Sequence, residues 1–201
     1  MVRGIPRNGG RLSHNEKRAH MRTEVRFAGF GGQGIISAGK ITGRAAAIYD
    51  GKEAVMMQSY GPEARGGACN SDLVVSDAAI GSPQLTIPGV VVIMSQEAFD
   101  KYGSVIAEGG TLITDEDLVD AAGAAGASRT YAVPATRIAD ELGRKIVANV
   151  VMLGALSAIT GLVSRGAMLE AILASVPPRT KELNERAFDA GYQKGQEVAG
   201  A

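Results

Sequence analysis

Two short stretches carry residue types that suit an anionic ligand. The first is Gly29-Phe30-Gly31-Gly32-Gln33-Gly34, with four glycines in six residues. Gly29, Gly31 and Gly34 satisfy G-x-G-x-x-G, the spacing that lets a backbone approach a pyrophosphate and seat it on a helix N-terminus. Such a terminus carries about half a positive charge and several unpaired N–H groups, so it suits an anion or another chain's carbonyls. The second stretch, Gln58-Ser-Tyr-Gly-Pro-Glu-Ala-Arg-Gly-Gly67, sets Tyr60, Glu63 and Arg65 within an irregular loop. Arg65 is able to grip a phosphate or carboxylate in a bidentate fork, with Glu63 as its local counterion or as a reach toward a partner. The candidate binding residues are therefore Gly29, Gly31, Gly32, Gln33, Gly34, Tyr60 and Arg65. The plainer alternatives are close strand-helix packing for the glycine turn and a solvated ion pair for the loop.

Fuller motif tests narrow the chemistry. An NAD site also needs an acidic residue about 20 residues on, at the end of the second strand, to hold the ribose. Here that strand, Glu53 to Met57, ends at Gln58-Ser59, and Asp50 lies before it. Gly34-Ile-Ile-Ser-Ala-Gly39-Lys40 has P-loop spacing but puts Ile41 where Ser or Thr must hold magnesium, and it falls inside a helix. Both histidines, His14 and His20, lie near the N-terminus, and Cys69 is the one cysteine. The chain by itself therefore builds no disulfide, four-cysteine zinc site or cubane iron-sulfur cluster, and no catalytic residue or metal ligand is assigned. Cys69 precedes an apolar strand and reads as a small buried residue rather than a reactive thiol.

The elements that must position these stretches alternate between strand and helix. Val25, Phe27 and Ala28 form a strand leading into the glycine turn. The next element is a helix whose inward face is Ile35, Ala38, Ile41, Thr42, Ala45, Ile48 and Tyr49, at three- and four-residue steps. The loop at 58–67 leaves the C-terminal end of the second strand beside the glycine turn, where open α/β sheets place ligands. Further strands are expected at Asp72–Ser76, Val90–Met94, Thr111–Thr114 and Thr130–Val133, with Ser95 capping a helix from Gln96 to about Ala107. The Ala- and Gly-rich 120–128 run reads as a surface connection. Lys145 to Thr160 is apolar on nearly every side, so that helix is either central or at a subunit interface. Gly161 ends it, Arg165–Ser175 is a further helix, Pro177-Pro178 breaks the chain, and Lys181–Val198 is a final helix with Leu183, Ala187 and Phe188 inward. The expected fold is a single α/β domain: a three-layer, doubly wound sheet with a Rossmann-like glycine turn.

At 201 residues and 45% hydrophobic content the chain suffices for one domain with a sizeable core. Its zero formal net charge is unevenly placed. Residues 1–22 hold Arg3, Arg7, Arg11, Lys17, Arg18 and Arg22 against Glu16. Of the 21 basic and 21 acidic residues, 15 and 20 remain for residues 23–201, a net of −5. An acidic domain gives no electrostatic case for nucleic acid. The basic tail, 1–22, has no apolar period and reads as disordered, with Met21 a second plausible start. It lacks the apolar run of a secretory signal, and no stretch suits a membrane span, so a cytoplasmic protein is expected.

Four segments in order carry a family resemblance: Phe27-Ala-Gly-Phe-Gly-Gly-Gln-Gly-Ile, Gln58-Ser-Tyr-Gly-Pro-Glu-Ala-Arg-Gly-Gly, Ser76-Asp-Ala-Ala-Ile, and Met94-Ser-Gln-Glu-Ala-Phe-Asp-Lys-Tyr. Together with Asn149-Val-Val-Met-Leu-Gly-Ala and 177–188, they make the chain from about Thr23 to Gln196 similar to the gamma subunit of 2-oxoacid:ferredoxin oxidoreductases. The Pro-Glu-Ala-Arg-Gly-Gly segment resembles the 2-oxoglutarate branch, that of 2-oxoglutarate synthases, more than the pyruvate branch. The basic tail lies outside the resemblance.

The resemblance implies a hetero-oligomer with alpha, beta and ferredoxin-like subunits. Thiamine diphosphate would lie between alpha and beta, iron-sulfur clusters in beta or the ferredoxin-like subunit, and coenzyme A would accept the acyl group. The reaction is oxidative decarboxylation of a 2-oxoacid to an acyl-CoA with reduction of ferredoxin, or its reverse. This chain would support that reaction without carrying the thiamine or cluster chemistry. The glycine-turn residues, Tyr60 and Arg65 would contact coenzyme A or another subunit. A free-standing nucleotide-binding enzyme and a purely structural subunit are the competing readings.

Overall fold

Alternating apolar residues on the strands feed two cores, one on each face of a single sheet. The computed structural model describes residues 21–58, 68–122 and 127–200. Strands β1 (Arg22–Phe30), β2 (Glu53–Gln58), β3 (Ala68–Ser76), β4 (Val90–Ile93), β5 (Gly110–Asp115) and β6 (Ala127–Val133) form a sheet in the order β2-β3-β1-β4-β5-β6. β4 runs parallel to β1, β5 to β4 and β6 to β5, whereas β3 is antiparallel to both β1 and β2. On β4, Val90 and Val92 face one core and Val91 and Ile93 the other, the two-residue period of a strand buried on both sides.

The first face carries α1 (Ile35–Arg44), α3 (Ala135–Glu141), α4 (Ala148–Thr160), α5 (Arg165–Leu173) and α6 (Lys181–Gly200). Among the described residues the second carries only α2 (Gln96–Tyr102), whose Ala98 packs on Ala28, Val91 and Ile93. The result is the expected three-layer α/β domain, with a mixed sheet.

Several elements depart from the sequence reading. β3 lies between β1 and β2, so the second strand is an edge strand and not the neighbour of the first. After Arg44 the α1 helix widens into a π turn, Ala45–Tyr49. A π turn holds more residues than the 3.6 of an α turn and rotates the side chains beyond it about the helix axis. Ala45 and Ala46 are buried as a result, while Ile48 and Tyr49, expected inward, are 66% and 41% exposed. α2 stops at Tyr102 rather than near Ala107, because the chain must turn at Gly103 to reach β5; a Cβ there would sit 2.7 Å from the Phe99 carbonyl oxygen.

α3 has no counterpart in the expectation. Its N-cap is Pro134, whose side chain makes no capping bond. Instead the Asp115 carboxylate, at the end of β5, accepts hydrogen bonds from Thr136 N (3.1 Å) and Thr136 Oγ1 (2.6 Å). A cap delivered from another strand leaves no mark in the local sequence.

The apolar 145–160 segment is a short 3₁₀ turn, Lys145–Val147, leading into α4. Every residue from Ala148 to Ser157 is buried, chiefly against α6 and also against α3, α5 and α1. The helix is central, so its apolar surface is covered by its own chain and does not call for a partner.

α4 and α6 approach closely through glycines. A Cβ on Gly154 would sit 2.6 Å from Tyr192 N, and one on Gly195 2.8 Å from Ala155 Cα. Gly161, at φ +60°, terminates α4 as expected.

Candidate functional site at the sheet's C-terminal edge

The connections of β1 run toward β3 and β2, and those of β4 run the other way toward β5 and β6. The β1/β4 boundary is therefore the switch point of the sheet, where a crevice usually forms. In this chain Gln33 spans it: its Oε1 accepts from Phe30 N (2.9 Å), and its Nε2 donates to Met94 O (2.5 Å). The amide thus ties the end of β1 to the residue after β4.

The neighbouring glycines are demanded by packing. A Cβ on Gly29 would lie 2.7 Å from Ile35 Cδ1. Gly34 caps α1 at φ +77°, accepts a 3.4 Å bond from Asn149 Nδ2, and leaves no room for a Cβ against the Asn149 side chain. Gly32, at φ +100°, has open space beside it, and Gly31 and Gly32 are exposed together with Phe30 (43%). The turn's outward surface is therefore Phe30-Gly31-Gly32. Beside it opens a cavity of about 400 Å³, lined among others by Phe30, Gln33, Met94, Leu118, Thr136 and Lys145.

Tyr60 and Arg65 lie outside the described residues. The residues flanking that loop are at the same edge: Gln58 ends β2, and Ala68, which opens β3, is the register partner of Phe30.

Other polar groups near this edge serve the fold. Asp115 is fully buried, and burial holds its carboxyl above the ordinary carboxylate range despite the hydrogen bonds from Thr136 and Asp117, which pull the other way. Burial also raises the Cys69 thiol, which packs half-buried against the first core, so it remains protonated and poorly nucleophilic.

On the α2 face, Arg26 and Asp72, register partners on β1 and β3, form a bidentate pair at 2.8 and 2.7 Å. Asn70 donates to Asp72 (3.1 Å), Tyr102 Oη donates to Asn70 (3.2 Å), and the Arg26 guanidinium stacks 5.1 Å from the Tyr102 ring. This network fixes the antiparallel register. Sequence reasoning missed it because the four residues meet only after β3 inserts beside β1.

Comparison with known proteins agrees with this architecture. Residues 24–194 match the family model described as pyruvate ferredoxin/flavodoxin oxidoreductase. The 2-oxoglutarate synthase subunit KorC of Methanocaldococcus jannaschii is 53% identical over 186 residues, covering 92% of this chain and all of that protein. The gamma subunit of the keto/oxoacid ferredoxin oxidoreductase of Geobacter sulfurreducens superposes with a TM-score of 0.80 at 43% identity, covering 89% of this chain and 98% of that one. A 2-oxoglutarate:ferredoxin oxidoreductase from Magnetococcus marinus, solved with 2-oxoglutarate, coenzyme A and succinyl-CoA bound, gives a TM-score of 0.79 at 25% identity. That match covers 90% of this chain and 32% of the larger one. With residues 24–194 matched by the family model, and with sequence and fold similar to these subunits over about nine-tenths of its length, the chain belongs to the pyruvate ferredoxin/flavodoxin oxidoreductase family.

Proposed function

We propose that this chain is the gamma-type subunit of a cytoplasmic 2-oxoglutarate:ferredoxin oxidoreductase. The observation that carries the reading is the 53% identity to a 2-oxoglutarate synthase subunit over that subunit's entire length. In the complex, 2-oxoglutarate loses carbon dioxide, its acyl group passes to coenzyme A, and an electron pair passes to ferredoxin, or the sequence runs in reverse.

An iron-sulfur cluster does not fit this chain. It has one cysteine, and among the described residues no group of three or more His, Cys, Asp or Glu side chains is placed to hold a metal ion. The alpha, beta and ferredoxin-like subunits are the proposed holders of thiamine diphosphate and the clusters. Coenzyme A fits the edge described above better. The outward rim of the glycine turn adjoins a cavity with apolar walls and a Lys145 cation, a combination suited to a ligand with both apolar and phosphate parts. Arg65 is the proposed phosphate ligand, with Tyr60 and the turn residues as secondary contacts.

The test is co-expression of the tagged chain with its neighbouring reading frames. Recovery of subunits bearing thiamine diphosphate and iron, with ferredoxin reduction dependent on both 2-oxoglutarate and coenzyme A, is the expected result. Recovery of the chain alone, or activity that is unchanged when this subunit is omitted, would overturn the reading.

A further inference from the structure

Away from the glycine turn, a trough of about 1080 Å³ runs between α1, the entry to α4, the end of α5 and the start of α6. Its floor is apolar, with Ile41, Val147, Val150, Val176 and Leu183. Around it stand four cations from three parts of the chain, Lys40 and Arg44 on α1, Arg144 before α4, and Arg179 before α6, and among the described residues no carboxylate lines it. All four are exposed, and Lys40, Arg144 and Arg179 form no ion pair with any described residue. Arg44 is held in place by hydrogen bonds to Ala174 O (3.3 Å) and Ser175 Oγ (3.2 Å), which leave its charge uncompensated. The α4 N-terminus adds to the positive field, with no side-chain cap and no acid in its first turn. Ile146, 65% exposed, stands on the rim. This concentration of positive charge sits on a domain whose net charge is −5 over residues 23–201, so it is a local feature and not a reflection of overall charge.

We infer that this trough receives an acidic segment of another subunit of the complex, with carboxylates on Lys40, Arg144 and Arg179 and an apolar residue on the floor; the inference rests on the chain being an assembled subunit. An apolar floor inside a polar, charged rim is the anatomy of a protein interface. The volume is at or above the upper end of small-ligand sites, and all four cations are exposed rather than buried. Both features favour a peptide segment over a small anion. Opposite charges steer such a segment in and fix its register.

The experiment uses the assembled complex, purified through a tag on this chain. A zero-length carbodiimide cross-linker joins an amine to a carboxylate in direct contact. Lys40, the one lysine among the described residues that line the trough, is expected to be recovered by mass spectrometry joined to an Asp or Glu of a partner subunit. The double substitution Arg144→Glu/Arg179→Glu is expected to weaken assembly at least about tenfold and to flatten its salt dependence. Arg129→Glu, exposed on β6 and outside the trough, should do neither. A wild-type complex in which Lys40 stays unlinked and the double variant assembles normally would overturn the inference while leaving the subunit reading intact. Saturable binding of adenosine 3′,5′-bisphosphate to the full chain, lost in the double variant with assembly unchanged, would overturn it in favour of a small anion. Wild-type chain that recovers no partner at all would overturn both.

Discussion

Two side chains illustrate how differently charge is used at the residue scale. Arg65 is the proposed phosphate ligand, and a hydrogen bond to a charged group is worth roughly 1.5 to 3 kcal/mol. Arg65→Ala is therefore expected to weaken coenzyme A use by roughly 10- to 100-fold in the complex, read as the coenzyme A dependence of the rate. If Arg65 instead pairs with a carboxylate of another subunit, native mass measurement will show a loosened complex. An intact complex with unchanged dependence sinks both. Asp115 is the opposite case, an acid buried for structural ends. Its carboxyl in the folded state holds its proton more tightly than at the ordinary value of 3.8, so the folded state binds more protons than the unfolded one. Stability from this group is fully present below 3.8 and falls as pH rises through the raised value. Thermal unfolding compared across that acid window should show this contribution in the wild type and its loss in Asp115→Asn, as a difference between their two pH profiles. The variant will also be less stable throughout, because its amide puts an N–H against one of the donors that Asp115 now accepts from, Thr136 or Asp117.

At the element scale the decisive contact is α4 against α6. Helices usually pack about 8 to 10 Å apart, and glycine is what permits a closer approach. Gly191→Ala would gain about 1 kcal/mol of helix propensity in isolation. Its Cβ, however, would lie 2.7 Å from Val151 C and 2.8 Å from Val151 Cα, which is backbone and cannot turn aside. Separation of the two helices should outweigh the propensity gain, with a net loss of about 1 to 3 kcal/mol in a urea titration. Gly166→Ala in α5, where the added Cβ meets nothing within 4 Å, tests the same propensity without the clash. It should be neutral or stabilising by up to about 1 kcal/mol. Equal behaviour of the two variants would show that the close approach does not matter.

For the molecule as a whole, the arrangement is that of a support. Among the described residues five α-helices cover one face of the sheet and one short helix the other, and no helix is long and apolar enough to cross a membrane. The chain buries its own apolar helix α4, so the isolated domain should fold, yet its sequence offers a single cysteine toward a cluster. Purified alone and reconstituted with iron and sulfide, it should hold no stoichiometric iron and show no 2-oxoacid oxidation. Iron at one cluster per chain by elemental analysis would contradict this.

The sequence by itself determined the elements whose causes are local. Short apolar runs of strand length marked β1 and β4, Ser95 marked the start of α2 by accepting from Ala98 N, and Gly161 marked the end of α4. A count of cysteines was likewise enough to argue against a cluster in this chain. The family was legible because its motifs are stretches of consecutive residues. Only the tertiary structure decided that β3 enters between β1 and β2, that the π turn rotates Ile48 and Tyr49 outward, and that Asp115 caps α3 from 21 residues away. The glycine turn was visible as a motif, but the spacing G-x-G-x-x-G is the same for a turn that seats a ligand and one that packs a strand on a helix. The difference lies in where Gln33 and Asn149 sit, and Gln33 reaches the carbonyl of Met94, 61 residues on. The basic trough was illegible for the same reason: Lys40, Arg144 and Arg179 are ordinary surface cations until folding brings their three segments around one apolar floor.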